Sequence, residues 1–234
     1  MSNIDLAIIG FGRIGRIHAA NILAEEDISL KMIVDPLLDV DERLVNKGIK
    51  QSKNIADLLN LKNIDGVIIC SPSNYHVDQI KQVSQNIKNI FCEKPLGLSI
   101  NEIMEVKSLV DNNKLNLHVG FNRRFDPDFS SLKTAISSGE IGDIHTIKII
   151  SRDPSPPPIS YIKKSGGIFL DMTIHDFDMV KYLSGSEISE IYAKGGCFID
   201  PEIKKANDID TAIINMSLKN GALAIINNSR KAVY

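Results

Sequence analysis

The sequence predicts two architectures in tandem: an α/β domain on a parallel sheet, then an α+β domain with an open-faced, mostly antiparallel sheet. Three observations carry this. Over the first 120 residues, short runs that are apolar almost throughout alternate with helical stretches, as expected of strands covered on both faces. From Gly142 the strand-like runs lengthen and follow one another directly. A glycine-rich turn also joins the first strand to the first helix.

Taken in order, strands are expected at 6–9, 30–34, 67–70, 90–92 and 117–121, with a weaker one near 48–50. Helical spacing falls at 14–25, 75–85 and 100–112, the last opened by Ser99 with Glu102 three residues on, a capping box. The domains are expected to divide as 1–122 and 123–234, beside an amphipathic stretch at 126–138. The second domain offers strands at 144–151, 188–197, 211–218 and 222–228, read as an antiparallel sheet. Lys219-Asn220-Gly221 separates the last two, and its Asn-Gly is expected to supply the positive φ angles of a tight hairpin. Ala212, Ile214, Met216 and Leu218 alternate with Thr211, Asn215 and Ser217, which gives one apolar and one mixed face, a pattern common at subunit interfaces. Asp153 and the proline-rich residues to Pro158 form a stiff connector from strand to helix. Because the last strand is followed by only a few residues, the natural protein is expected to continue.

The 234 residues are 43% hydrophobic and 24% charged, with a formal net charge of −2, so no global positive field exists to hold nucleic acid or an anionic membrane. Cys70, Cys92 and Cys197 are far apart and form no C-x-x-C, and they are read as reduced thiols of a cytoplasmic protein. No run approaches a membrane span, and the first residues pass directly into a strand rather than a signal peptide.

Four motifs bear chemistry. Gly10-Phe11-Gly12-Arg13-Ile14-Gly15 follows a strand and opens a helix. Gly10 permits the turn, Gly12 lets backbone N–H groups approach a pyrophosphate, and Gly15 lets helix and strand pack closely. Asp35, ending the second strand, is placed to accept bonds from the two adenosine ribose hydroxyls. Its charge would repel a 2′-phosphate by about 1–4 kcal/mol, which favours NAD; Arg13 could offset a phosphate and keeps NADP open. The second motif, Ser71-Pro72 with Asn74 and His76, ends the strand at 67–70, near the topological switch where such sheets bind ligands. Ser71 and Pro72 are expected to wall the nicotinamide side; Asn74 and His76, with Glu93, Lys94 and Arg123 further on, are candidates to join them at the cofactor, although Asn74 and His76 read equally well as a helix cap and a packing residue.

In the third motif, Glu93-Lys94-Pro95, the lysine leaves a buried strand and can stabilise negative charge on a substrate oxygen; Pro95 keeps Lys94 extended, and a cis bond is open to it. The fourth spans 166–179. On a regular helix Asp171, His175, Asp178 and Tyr182 form one stripe, flanked by Leu170, Ile174 and Phe177 on one side and Met172 and Met179 on the other. Burying an acid and an imidazole there is costly unless they pair or meet a ligand, and this is how a general base is held. The competing readings are a satisfied core histidine and a zinc site, the latter weakened by the want of a second histidine or a cysteine pair. His18, His118 and His145 are read as packing.

These motifs, with Gly120-Phe121-Asn122-Arg123-Arg124-Phe125-Asp126-Pro127, resemble the Gfo/Idh/MocA oxidoreductase family over essentially the whole chain. Residues 151–167 are similar to its inositol-oxidising branch. The resemblance implies a Rossmann domain, an open-faced sheet used in oligomerisation, and NAD as cofactor. It implies Lys94, Asp171 and His175 as catalytic residues, with Asn122, Arg123 and Asp153 bordering substrate or nicotinamide, and Tyr234 at the substrate rim. It further implies hydride transfer from a cyclic polyol such as myo-inositol without a metal, in a dimer or tetramer. Met172 departs from the threonine that some inositol enzymes carry after the aspartate. The alternatives are another sugar or nucleotide-sugar dehydrogenase and a non-catalytic NAD-binding regulator. The catalytic reading expects the Lys94 amine and the His175 ring to converge on one alcohol.

Overall fold

The computed structural model describes residues 3–39 and 41–232, which form two compact units that divide between Gly120 and Phe121. In the first unit, β1 (Ile4–Ile9), α1 (Arg13–Ala24), β2 (Ile28–Val34), α2 (Glu42–Val45), β3 (Lys50–Ser52), α3 (Ile55–Leu59), β4 (Gly66–Ile69), α4 (His76–Val83), β5 (Asn89–Glu93), α5 (Ile100–Asn113) and β6 (Asn116–Gly120) follow in order. Every strand pairing is parallel, in the order β3-β2-β1-β4-β5-β6. This is the doubly wound arrangement, whose order reverses at β1 and β4, so the ends of those strands open toward a ligand crevice.

The near-continuous apolar strands serve two cores. Ala7, Ile9, Val67, Ile69, Ile90 and Cys92 pack with Leu58, Ile80, Val83 and Val106 on one face. Ile8, Leu30 and Ile33 pack with Phe11, Ala19, Ile22 and Leu44 on the other. Each such aliphatic side chain contributes about 1.5–3 kcal/mol when fully buried. The Ser99 and Glu102 capping box forms at α5 as expected. The short helices α2 and α3 were not expected; Asp41 and Asn54 cap them through side-chain bonds to Arg43 and Ala56 N–H groups.

In the second unit, α6 (Pro127–Ser137), β7 (Thr146–Arg152), α7 (Ile159–Ser165), a π-helical turn (Phe169–Thr173), α8 (Ile174–Ser184), β8 (Ile188–Gly196), α9 (Pro201–Lys205), β9 (Thr211–Leu218) and β10 (Leu223–Ser229) follow. The sheet order is β7-β10-β9-β8. Two pairings are antiparallel and β10 runs parallel to β7, so the sheet is mostly antiparallel as expected, with one parallel pair that the run of strands did not show. The reason is the helical segment between β7 and β8, which returns the chain to the far edge. The hairpin forms across 219–221 as expected, with the Leu218 N–H donating to the Ala222 carbonyl; of its Asn-Gly pair Gly221 takes φ 90°, whereas Asn220 does not have the positive φ expected of it. Ala212, Ile214, Met216 and Leu218 face the core with Val180 and Ile226.

Candidate active site

In the first unit the glycine turn is shaped by contact. A Cβ on Gly10 would lie 2.4 Å from the Ser71 backbone nitrogen, and one on Gly15 2.0 Å from the Gly10 carbonyl oxygen. Gly10 also holds φ 92°. A Cβ on Gly12 would meet no protein atom within 4 Å. Only glycine permits the first two approaches, whereas bareness at Gly12 is spent on open space in front of the helix. The N-terminus of α1 has no side-chain cap, so the first-turn N–H groups of this 12-residue helix, those of Arg13 and Ile14 among them, remain available to an anion. Asp35 closes the turn: Oδ2 accepts the Phe11 N–H at 2.6 Å and Oδ1 the Leu37 N–H at 2.8 Å. Each oxygen has lone-pair capacity left for a ribose hydroxyl. Arg13 is exposed. The cradle fits a dinucleotide with an unphosphorylated ribose.

The loops after β4 and β5 are tied to one another by His76, which is 1% exposed. Its Nδ1 lies 2.8 Å from the Pro95 carbonyl oxygen and its Nε2 2.8 Å from that of Ser71. Expected among the cofactor ligands, His76 instead has both ring nitrogens turned to backbone. Ser71 donates its hydroxyl to Gln79 Oε1 at 2.5 Å, and Pro72 precedes a 3-10 turn, Ser73–Tyr75. Asn74 is exposed within that turn and does not cap α4, whose N-cap is Tyr75, so the capping reading is corrected. The Lys94-Pro95 bond is cis, and Lys94 is half-buried. Glu93 Oε1 lies 2.8 Å from Nε2 of His18 on α1. His18 also meets Phe91 edge-on, and Phe91 stacks on His118. His18 is thus a partner of the charged motif rather than a packing residue, and His145 is exposed.

Burial pushes the Cys70 thiol up to about 12, with Glu93 adding to it, and burial likewise raises Cys92. All three cysteines are free thiols.

In the second unit the expected stripe is altered by the π-helical turn over Phe169–Thr173, whose i to i+5 bonding widens the segment that bears Asp171 before α8 begins. Asp171 Oδ1 accepts the Tyr161 hydroxyl at 2.8 Å, and Oδ2 accepts Nη1 of Arg230 at 3.1 Å. Arg230 Nη2 reaches Asp208 Oδ2 at 3.3 Å, and Asp208 Oδ1 accepts the Ile168 N–H at 3.0 Å. His175 is half-buried one residue into α8.

Asp176, fully buried, was missed. Its Oδ1 accepts Arg123 Nη1 at 2.5 Å and the Ser151 hydroxyl at 2.7 Å; its Oδ2 accepts the Asn228 amide at 2.6 Å. Thr173 then donates to Asn228 Oδ1 at 2.5 Å. The guanidinium expected to border a ligand is therefore engaged by Asp176 within this unit. Asp178 pairs with Arg124, which also lies over the Tyr182 ring; this bond raises the Arg124 pKa above its ordinary value. Each acid of this segment has an arginine, and the signal available beforehand was the Asn-Arg-Arg run at 122–124. Asn122 is exposed, and Asp153 is half-buried, its backbone continuing the β10 pairing through Ser229. Met172 is 7% exposed and counts among the buried hydrophobic residues. Tyr234 lies outside the described residues. Among the described residues no group of three or more His, Cys, Asp or Glu could hold a metal ion, and no helix is long and apolar enough to cross a membrane.

Residues 4–121 match the oxidoreductase family with an NAD-binding Rossmann fold, GFO_IDH_MocA, and residues 129–234 match the GFO/IDH/MocA C-terminal domain. The chain is 44% identical over 231 residues to myo-inositol 2-dehydrogenase of Thermotoga maritima, covering 98% of this chain and 69% of that protein. It is 39% identical over 231 residues to inositol 2-dehydrogenase of Rhizobium meliloti, covering 99% and 70%. Among solved structures it is similar to scyllo-inositol dehydrogenase from Lactobacillus casei with bound NAD(H) and scyllo-inositol, with TM-score 0.88 and 33% identity over 99% of this chain and 71% of that one.

Proposed function

Given that the chain belongs to the Gfo/Idh/MocA oxidoreductase family, we propose that it oxidises a ring CH–OH of a cyclic polyol, myo-inositol to its 2-keto inosose, with NAD. The observation that carries the substrate class is the 44% and 39% identity to two inositol 2-dehydrogenases over nearly the whole chain. Residues 4–121 are the NAD-binding Rossmann domain.

NAD, held by the Gly10 to Gly15 turn and Asp35, supplies the hydride acceptor. His175 takes the hydroxyl proton as general base. Asp171, paired with Arg230, offers negative charge to the imidazolium that forms. Lys94 steadies the oxygen as it becomes an alkoxide and then a carbonyl. Ser71, Pro72, Glu93, Asn122 and Asp153 are the remaining candidates to border cofactor or substrate.

The solvent face of the four-stranded sheet supports self-association: Ile150, Tyr192, Ile213, Leu223 and Ile225 are exposed on it. A homo-oligomer through this face is our reading, tested by light scattering of the protein and of an Ile225→Lys variant. Cytoplasmic residence is supported by three thiols left unpaired.

The deciding experiment is a panel of inositols and aldoses with NAD or NADP, followed at the reduced-nicotinamide band. Inositol-dependent reduction of NAD that falls by about 10²-fold or more in Lys94→Ala and His175→Ala is expected. Intact turnover in both variants would sink the assignment.

A further inference from the structure

Arg230 follows β10 and is fully excluded from solvent. A charged side chain so placed is expensive, and as a purely stabilising element an apolar residue of similar volume would serve as well or better. Its satisfaction is incomplete, since Nε has no hydrogen-bond partner among the described residues. What the guanidinium does hold is specific. One arm meets Oδ2 of Asp171 and the other Oδ2 of Asp208. Asp208 is itself anchored to the Ile168 N–H, at a place where Gly167, with φ 81°, has no side chain to obstruct it: a Cβ there would lie 2.8 Å from Asp208 Oδ1.

We propose that Arg230 is the positioning residue for Asp171: anchored on Asp208, it fixes the direction in which the carboxylate presents its charge to the proton-transfer step. With the Tyr161 hydroxyl on Oδ1 and Arg230 on Oδ2, rotation of the carboxylate about its own axis would break a bond on either side. The inference deepens the reading of Asp171 and His175 as the acid and base, and rests on it.

The test is a double-mutant cycle in the whole protein, with kcat and KM for inositol and the Kd for NADH measured for Arg230→Met, Asp171→Asn and the pair. Arg230→Met is expected to lower kcat about 10- to 100-fold with KM and the NADH Kd changed less than about threefold, as loss of an interaction made in the transition state requires. In the Asp171→Asn background the same change should alter kcat less than about twofold, because a residue acting through Asp171 has nothing left to act on. A merely structural arginine would multiply its loss into both backgrounds, and that result overturns the proposal. Should Arg230→Met fail to fold, Arg230→Lys takes its place in the cycle, with the same two outcomes. Full activity of Asp171→Asn alone would overturn the site reading and the inference together, whereas an impaired Asp171→Asn with a multiplicative Arg230 loss overturns only the inference.

Discussion

The Nδ1 of His76 lies 2.8 Å from the carbonyl oxygen of Pro95, and the opposite nitrogen of the same ring lies 2.8 Å from the carbonyl of Ser71. One buried imidazole thereby spans the loop after β4 and the loop that carries Lys94.

His76→Ala should therefore loosen the Lys94 loop together with the Ser71 loop that packs against Gly10. A fall in kcat of about 10- to 100-fold is expected, the scale of a misplacement of about 1 Å, with a weaker NADH Kd beside it. His76→Gln, which keeps a donor, should recover part of the loss. Steady-state kinetics with fluorescence titration of NADH reads both.

Gly12 and Gly15 should separate affinity from stability. Gly12→Ala adds a methyl to open space at φ −71°, so its melting temperature should hardly move while NAD binding weakens about tenfold or more. Gly15→Ala drives a Cβ into the Gly10 carbonyl and should lower stability by about 1–3 kcal/mol as well. Thermal melts beside NADH titrations distinguish the two.

Asp210 should make the second unit acid-sensitive. Burial works to raise its pKa, but the N–H groups of Phe198 and Ile199, the Cys197 thiol and the Thr211 hydroxyl outweigh it and hold the carboxyl below its ordinary value of 3.8. The unfolded chain then binds this proton more tightly, so the contribution is present above pH 3.8 and fades as pH falls through the lower folded value. Asp210→Asn should cost about 1–3 kcal/mol near neutrality and flatten that acid limb in denaturant melts.

The thiols should be slow. With Cys70 pushed up to about 12, only about one molecule in 10⁴ carries its thiolate at pH 8. Burial also raises Cys92 and Cys197, the latter with a bond to Asp210. Iodoacetamide labelling followed by mass spectrometry should be far faster in denaturant than in the native protein; rapid native labelling of Cys70 would contradict this.

The strands of the first unit were legible because burial on both faces leaves near-unbroken runs such as Val67, Ile68 and Ile69. The glycine turn was legible because Gly10 and Gly15 answer to close backbone contact that no other residue tolerates. Periodicity reports burial but not direction, so the parallel partnership of β7 and β10 was hidden. Nor does it fix hydrogen-bond register, and the π-helical turn at Phe169–Thr173 escaped a reading that assumed a uniform helix. The arginine partners were hidden by distance along the chain, 53 residues from Arg123 to Asp176 and 59 from Asp171 to Arg230. His18 and His76 carried no local sign of the groups they hold.

Asp176 joins Ser151 on β7, Asn228 on β10 and Arg123 through a single buried carboxylate. Helix α8, which carries His175, and the sheet beneath it are consequently one mechanical piece, because any roll of the helix would strip donors from a carboxyl group that water cannot reach. Engineered changes in polyol preference are then to be sought in side chains grafted around this block, with the block itself left in place.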